Sequence, residues 1–239
     1  MPDLKVTWFG HSTIKLDTSS GLHILVDPFI TGNPACPPEL RNERAFDLIL
    51  VTHGHGDHFG DTISILKESN AVVMCVFEMA NYIMSRGIAH ERVVGFNIGG
   101  TAKFEEISVS MTPAIHSSSM YDGHTTVDVG PPVGFVIHLE DERTIYIAGD
   151  TDVFGEMSFI GELYKPFLAM LPIDGFYNMS PKAAALAVRM LGCTDIIPIH
   201  HSTFPALWGK PNALKDELSK LGLKNTRIHS INPGMVVSL

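Results

Sequence analysis

The stretch VTHGHGDHFGD, residues 51 to 61, places His53, His55, Asp57 and His58 within six positions. Such groups are rarely set so close unless they hold something together. Along an extended or turning segment, residues i and i+2 can face one side, so His53 and His55 can grip one ion. Asp57 and His58 follow a turn and can reach a second point nearby. Imidazole and carboxylate, with no cysteine among them, suit zinc, manganese, iron or nickel. The residues leading in, FDLILVTH, form a continuous apolar run of the kind that builds a strand buried on both faces. The cluster therefore starts a loop at the carboxyl end of a buried strand.

Working outward, other strands finish on the same kind of side chain. ISVSMTPAIH reads as a strand ending at His116, TIYIAGDT as one ending at Asp150, and DIIPIHH as one ending at His200 or His201. A single histidine at a strand end is ordinarily satisfied by hydrogen bonds, but the 53–58 cluster needs partners from elsewhere in the chain. Two ions need a shared group, and one carboxylate can offer an oxygen to each, which makes Asp150 the candidate bridge. His200 and His201 compete, because neighbours on a strand point to opposite faces and only one reaches the ions.

The remaining elements alternate in a readable way. KVTWFG, TIKLD and HILVDP read as strands closing on Gly, Asp or Pro. DTISILKES reads as a helix, AVVMCVF as a strand, and EMANYIMSRG as a helix stopping at Gly87. VGFVIHLE and TIYIAGDT read as a hairpin, EMSFIGELY as a helix and FLAMLPID as a strand. SPKAAALAVRMLG carries the fullest helix signature, with Ser180 as N-cap, Pro181 in the first turn and Gly192 at the stop. KPNALKDELSKLG reads as a last helix and GMVVSL as a closing strand. Each half opens with strands and continues with strand–helix units, which suggests two sheets with helices outside them. The segments 31–43, 117–132 and 202–212 read as long polar loops of the kind that carry function.

Four motifs in one order, THGHGDH, a lone His, GDT and PIH, resemble the metallo-β-lactamase superfamily. The framing motifs GHSTIKLD, DPFITGNP, GHGDHFGD and HHSTFP are similar to those of bacterial metal-dependent hydrolases related to L-ascorbate-6-phosphate lactonase. The resemblance implies an α/β (α+β) fold: a four-layer αβ/βα sandwich of two mixed β-sheets with helices on both outer faces, formed by residues 1–239 as one domain. It implies a dinuclear centre at one edge of that sandwich. His53, His55 and His116 would hold one ion, Asp57, His58 and His200 the other, and Asp150 would bridge. The apolar-Pro-apolar-His pattern favours His200 over His201. Zinc or manganese is implied as the metal, with iron and nickel inside the same ligand chemistry. The reaction implied is hydrolysis of a small ester or lactone, with or without a phosphate, in which Asp57 orients the attacking water and carries its proton.

Several residues are expected beside the centre. His11, in GHS, is read as a substrate contact or a support for the ligands, and Asp27, in VDP, as an acceptor fixing a ligand histidine. His124 sits in the long polar loop, where substrate contact competes with a plain surface role. Tyr177 and Asn178 precede the strong helix, and their backbone N–H groups could hold an anionic substrate group. The pair Asp174-Gly175 departs from the family pattern at this point. His201 is expected at the pocket mouth or bonded to its loop. His23, His90, His138 and His229 are read as structural or surface residues.

Composition narrows the rivals. The chain has 239 residues, 45% hydrophobic and 18% charged, as in ordinary globular proteins. Its formal net charge of -9 argues against nucleic acid or an anionic membrane as partner. A phosphodiesterase of the tRNA 3′-processing type is the enzyme alternative, poorly served by an acidic chain without a basic arm. A structural metal centre is the non-enzymatic alternative, although such centres are usually closed and cysteine-rich. Cys36, Cys75 and Cys193 lie far apart and read as small apolar fillers in a reducing cytoplasm. No leader and no membrane span is expected. A small-molecule substrate is expected, and a homo-oligomer is compatible with the sequence.

Overall fold

The computed structural model describes residues 4–239. Residues 1–3, the start of the segment read for a leader and of the expected 1–239 domain, lie outside the described residues. The first half opens with β1 (Lys5–Gly10), β2 (Thr13–Asp17), β3 (His23–Val26) and β4 (Leu48–Leu50). The short α1 (Gly56–Phe59) and α2 (Thr62–Glu68) follow, then β5 (Val72–Val76), α3 (Phe77–Ser85), β6 (Val93–Phe96) and β7 (Thr101–Phe104). The second half runs through β8 (Ile107–Pro113), β9 (Ser119–Tyr121), β10 (Thr126–Asp128), β11 (Val133–His138), β12 (Thr144–Ile147) and α4 (Met157–Tyr164). It closes with β13 (Leu168–Pro172), α5 (Pro181–Leu191), β14 (Asp195–Ile199), α6 (Pro211–Lys220), β15 (Arg227–Ile228) and β16 (Val236–Ser238).

Two seven-stranded mixed sheets result, in the orders β16-β1-β2-β3-β4-β5-β6 and β15-β14-β13-β12-β11-β8-β7. Each joins antiparallel neighbours at one end to four parallel strands at the other, β3 to β6 in the first sheet and β12 to β15 in the second. The closing strand β16 pairs antiparallel with β1, so the chain end returns to the first sheet.

Period-two alternation assigns the faces. In the second sheet Phe135, Ile137, Ile145, Ile147, Leu168 and Met170 face the first sheet, within the core shared by both. Their neighbours Val136, Tyr146, Ala169 and Leu171 face outward and pack against α4, α5 and α6 through Met157, Ile160, Ala184, Val188 and Leu214. This burial on both faces is why β13 is apolar throughout and β14 is apolar after its first residue, Asp195. Ile65, Leu66, Met79 and Ile83 of α2 and α3 join the shared core. The layers run helix, sheet, sheet, helix.

α5 starts where expected. The Ser180 side chain accepts from the Ala183 N–H, Pro181 is in the first turn, and Gly192 closes the helix in the left-handed region at φ +66°. Other expectations need correcting. β8 stops at Pro113 and β12 at Ile147, so His116 and Asp150 each lie three residues beyond the strand instead of ending it. Proline has no N–H to continue the ladder. The 117–132 segment is not all loop but folds back as the β9–β10 hairpin. The strands β6, β7 and β15 carry no strong sequence signal; β6 and β7 are sheet edges of four residues and β15 an edge of two. The three cysteines are free and buried.

Candidate metal centre

The centre gathers at the carboxyl ends of parallel strands from both sheets. β4 leads to His53, His55, Asp57 and His58, β3 to Asp27, β12 to Asp150, β13 to Asp174 and β14 to His200. The turn between β1 and β2 contributes His11, and the segment after β8 contributes His116. The ligand-capable atoms of His53, His55 and His116 lie within 4.8 Å of one another, as do those of His11, Asp57, His58 and His200, and those of His53, His58 and Asp150. His53 Nε2 is 2.9 Å from His55 Nδ1. Asp150 stands between the groups: Oδ1 is 3.3 Å from His58 Nε2, and Oδ2 is 3.2 Å from His200 Nε2 and 3.6 Å from His116 Nε2.

A layer of acceptors behind the rings sets their direction. His58 Nδ1 donates to Asp27 Oδ2 at 2.8 Å. The Thr52 hydroxyl donates to that same oxygen at 2.8 Å and lies 3.0 Å from His53 Nδ1, so it accepts from that ring nitrogen. His200 Nδ1 lies 3.1 Å from Asp174 Oδ2. With Nδ1 hydrogen-bonded in His58 and His53 and set against the Asp174 carboxylate in His200, all three rings aim Nε2 at the centre. His11, Asp27 and His200 hold left-handed backbone at φ 58°, 47° and 54°, which non-glycine residues rarely adopt. Hydrogen bonds secure these residues: the His11 carbonyl accepts from the His200 N–H at 2.9 Å and from Trp8 Nε1 at 3.0 Å.

Electrostatics point the same way. Burial lowers His53, and repulsion from His58 adds to it, leaving the ring neutral. Burial also lowers His11, to about 4, against the pull of Asp57. At His58 burial is outweighed by Asp150 and Asp27, which raise it well above the imidazole range. At His200 burial is outweighed by Asp150 and Asp174, which raise it to about 9. Asp150 is held far below the carboxylate range because His200 and His58 overcome its burial. Asp57 is lowered too, its burial overcome first by the hydrogen bond from His11. The carboxylates thus demand positive charge, which protons on His58 and His200 supply until a cation displaces them.

The donor set fits a metal. His58 Nε2 and Asp150 Oδ1 are buried and face the centre 3.3 Å apart, an ion-pair contact without hydrogen-bond geometry. An unpaired buried polar atom costs about 1–3 kcal/mol, and a cation would take up both.

Comparison with known proteins agrees with this geometry. A family model described as a beta-lactamase superfamily domain matches residues 23–201, well over half of the chain. The chain belongs to the beta-lactamase superfamily. A metal-dependent hydrolase of Koribacter versatilis is 41% identical over 231 residues, spanning 97% of this chain and 96% of its own. One from Rubrobacter xylanophilus is 44% identical over 232 residues, spanning 96% and 94%. The solved structure of Igni18, a metallo hydrolase of the archaeon Ignicoccus hospitalis, superposes with a TM-score of 0.86 at 36% identity, covering 99% of this chain and 98% of that one. The protein is a metal-dependent hydrolase of the metallo-β-lactamase fold, which sets aside the structural-metal reading.

Other members of this superfamily site emerge only in three dimensions. Asp174 is fully buried behind His200, and its Oδ1 accepts from the backbone N–H groups of Phe176, Tyr177 and Asn178 at 2.8, 2.7 and 3.3 Å. Those N–H groups, expected to hold an anionic substrate group, are therefore already engaged. Only the Tyr177 side chain reaches the cavity, while the Asn178 amide is buried without a partner. His11 is closer to the centre than a support needs to be. Its Nε2 is 3.1 Å from Asp57 Oδ2, and its Nδ1 is 3.1 Å from Thr203 Oγ1. His124 is at the exposed tip of the β9–β10 hairpin, away from the cavity walls. His201 points to the other side, against Trp8 and Ser202.

The centre forms the floor of a cavity of about 440 Å³. Ser117, Tyr177, Phe204, Ala206 and Leu207 complete its walls. Asp57 is 36% exposed and opens into this space, whereas the Asp150 side chain is 3% exposed.

Proposed function

We propose that the protein hydrolyses a small ester or lactone with two divalent cations, zinc or manganese, and that residues 1–239 act as one domain. His53, His55 and His116 would hold one cation. Asp57, His58 and His200 would hold the other, with Asp150 offering an oxygen to each. The observation that carries this reading is that His53, His55 and His116 form one group of converging ligand atoms and His11, Asp57, His58 and His200 a second, with the Asp150 carboxylate within 3.6 Å of members of both. The resemblance of the framing motifs to those of lactonase-related hydrolases favours an acyl centre over a phosphoryl one.

When bound, such cations make a water nucleophilic near neutral pH and draw electron density from the substrate oxygen. The residues of the chain do the rest. Asp57, reached from the cavity, accepts a proton from the attacking water and returns it to the leaving oxygen. His11, neutral, donates Nε2–H to Asp57 Oδ2 and takes the Thr203 hydroxyl at Nδ1, which holds the carboxylate in one orientation. Asp27 and Asp174 keep the ligand rings aimed inward, and Phe204 with Leu207 limits water in the cavity.

The test is a pH-stat assay of chelator-stripped protein restored with Zn or Mn, with bound metal counted in the same samples. Acid release from a lactone or phenyl ester only with about two cations per chain supports the proposal. Release from a phosphodiester alone moves the protein to phosphoryl chemistry.

A further inference from the structure

We propose that the substrate is uncharged and carries an apolar group, seated against Phe204 and Tyr177, and that anionic and phosphorylated molecules are excluded. This rests on the hydrolytic reading of the same cavity and departs from the phosphate that the lactonase resemblance allows.

The walls supply the argument. Among the described residues, no lysine or arginine lines the cavity. Lys210, the cation on the adjoining loop, donates to Ser202 Oγ at 2.9 Å, and Ser202 lines a different cavity with His201 and Trp8. The backbone N–H groups of residues 176–178 are occupied by Asp174. Four carboxylates, Asp27, Asp57, Asp150 and Asp174, surround the centre. Two divalent cations balance their charge and leave no surplus to attract an anion.

What the cavity offers instead is aromatic surface. Phe204 is 40% and Tyr177 60% exposed, and outside them Phe176 and Trp208 are 61% and 56% exposed. The Phe204 ring meets the His11 ring edge-on at 5.6 Å, which brings it beside the reacting floor. Two glycines fix this wall. A Cβ on Gly209 would stand 1.6 Å from the Ile173 carbonyl oxygen, so the 202–210 loop lies directly on the end of β13. A Cβ on Gly175, at φ +76°, would stand 2.3 Å from Trp208 Cζ2. The Asp174-Gly175 departure is thus a packing requirement: the aspartate orients His200 and the glycine admits the indole.

The experiment has two arms on the metal-loaded protein. In the first, phenyl esters with one leaving group carry a butyryl, a succinyl or a phosphate-bearing acyl part. The expected result is a kcat/KM at least tenfold higher for butyrate, with Phe204→Ala raising KM for butyrate severalfold while kcat changes little. In the second, isothermal titration calorimetry follows binding of the matching non-hydrolysable amides, and only the butyramide is expected to bind. Preference for the succinyl or phosphate series in either arm overturns the proposal, as does an unchanged KM in Phe204→Ala. Absence of hydrolysis on all esters with apolar binding intact overturns the reaction assigned above and leaves the apolar seat standing.

Discussion

Asp27 accepts from His58 Nδ1 at 2.8 Å, and neither side chain is more than 1% exposed. The same carboxylate accepts the backbone N–H and the hydroxyl of Thr52, and that hydroxyl meets His53. One buried aspartate therefore aims two histidines, which the proposal above assigns to different cations. Asp27→Asn keeps the size and tolerates the left-handed backbone, but loses a full acceptor. Metal affinity is expected to fall about 10–100-fold with the fold retained. Competition titration against a chromophoric chelator, with circular dichroism alongside, measures both.

Asp57 separates holding from doing. Asp57→Asn can still offer an oxygen to a cation but cannot carry a proton. Turnover is expected to drop roughly 10²–10⁴-fold while bound metal changes little. Activity surviving in this variant would reduce Asp57 to a ligand.

Metal uptake should be steeply pH-dependent. His200 is raised to about 9, its burial outweighed by Asp150 and Asp174, so below that pH a cation must displace its proton. Affinity is therefore expected to rise as pH climbs towards 9, with protons released on loading. A pH indicator in weak buffer reads the release directly. Asp174→Asn removes one source of the raised value and should shift the rise to lower pH.

Away from the centre, Asp195 accepts from Arg227 at 2.8 and 2.6 Å and from His229 at 2.8 Å. Burial resists its ionisation, but these bonds prevail and hold the carboxyl at about 2 against an ordinary 3.8. A depressed acid stabilises the fold above its unfolded value and ceases to do so as pH falls through its folded value. Asp195→Asn should cost about 1–2 kcal/mol near neutrality, a figure reduced for solvent screening at the exposed Arg227. Urea midpoints for the two proteins should converge as pH falls from about 4 to about 2.

Much of the fold was legible because the buried strands are apolar runs ending on chemistry-bearing residues. FDLILVTH, TIYIAGD and DIIPIH announce both a two-sided burial and what stands at its end. The β6 and β7 edges were not legible, since short edge strands with glycine or exposed polar positions resemble loops. Asp174 follows the apolar strand β13 as Asp150 follows β12, but its role is not legible because a carboxylate acting behind a histidine has no spacing of its own. The role of His11 depends on a contact 46 residues away with Asp57, which local pattern does not carry. The hydrogen bonds occupying the N–H groups of 176–178 were equally hidden, because a helix start looks the same whether its neighbouring donors are free or taken.

The left-handed backbone at His11, Asp27 and His200 has a consequence for how this protein would respond to selection. Such conformations cost about 1–3 kcal/mol each for a residue with a Cβ, and glycine escapes most of that cost. A library sorted only for survival of heating would be expected to return glycine at these three positions. The survivors would outlast the parent in the heat and bind metal poorly, so the hardiest descendants of this chain would be the ones that had stopped working.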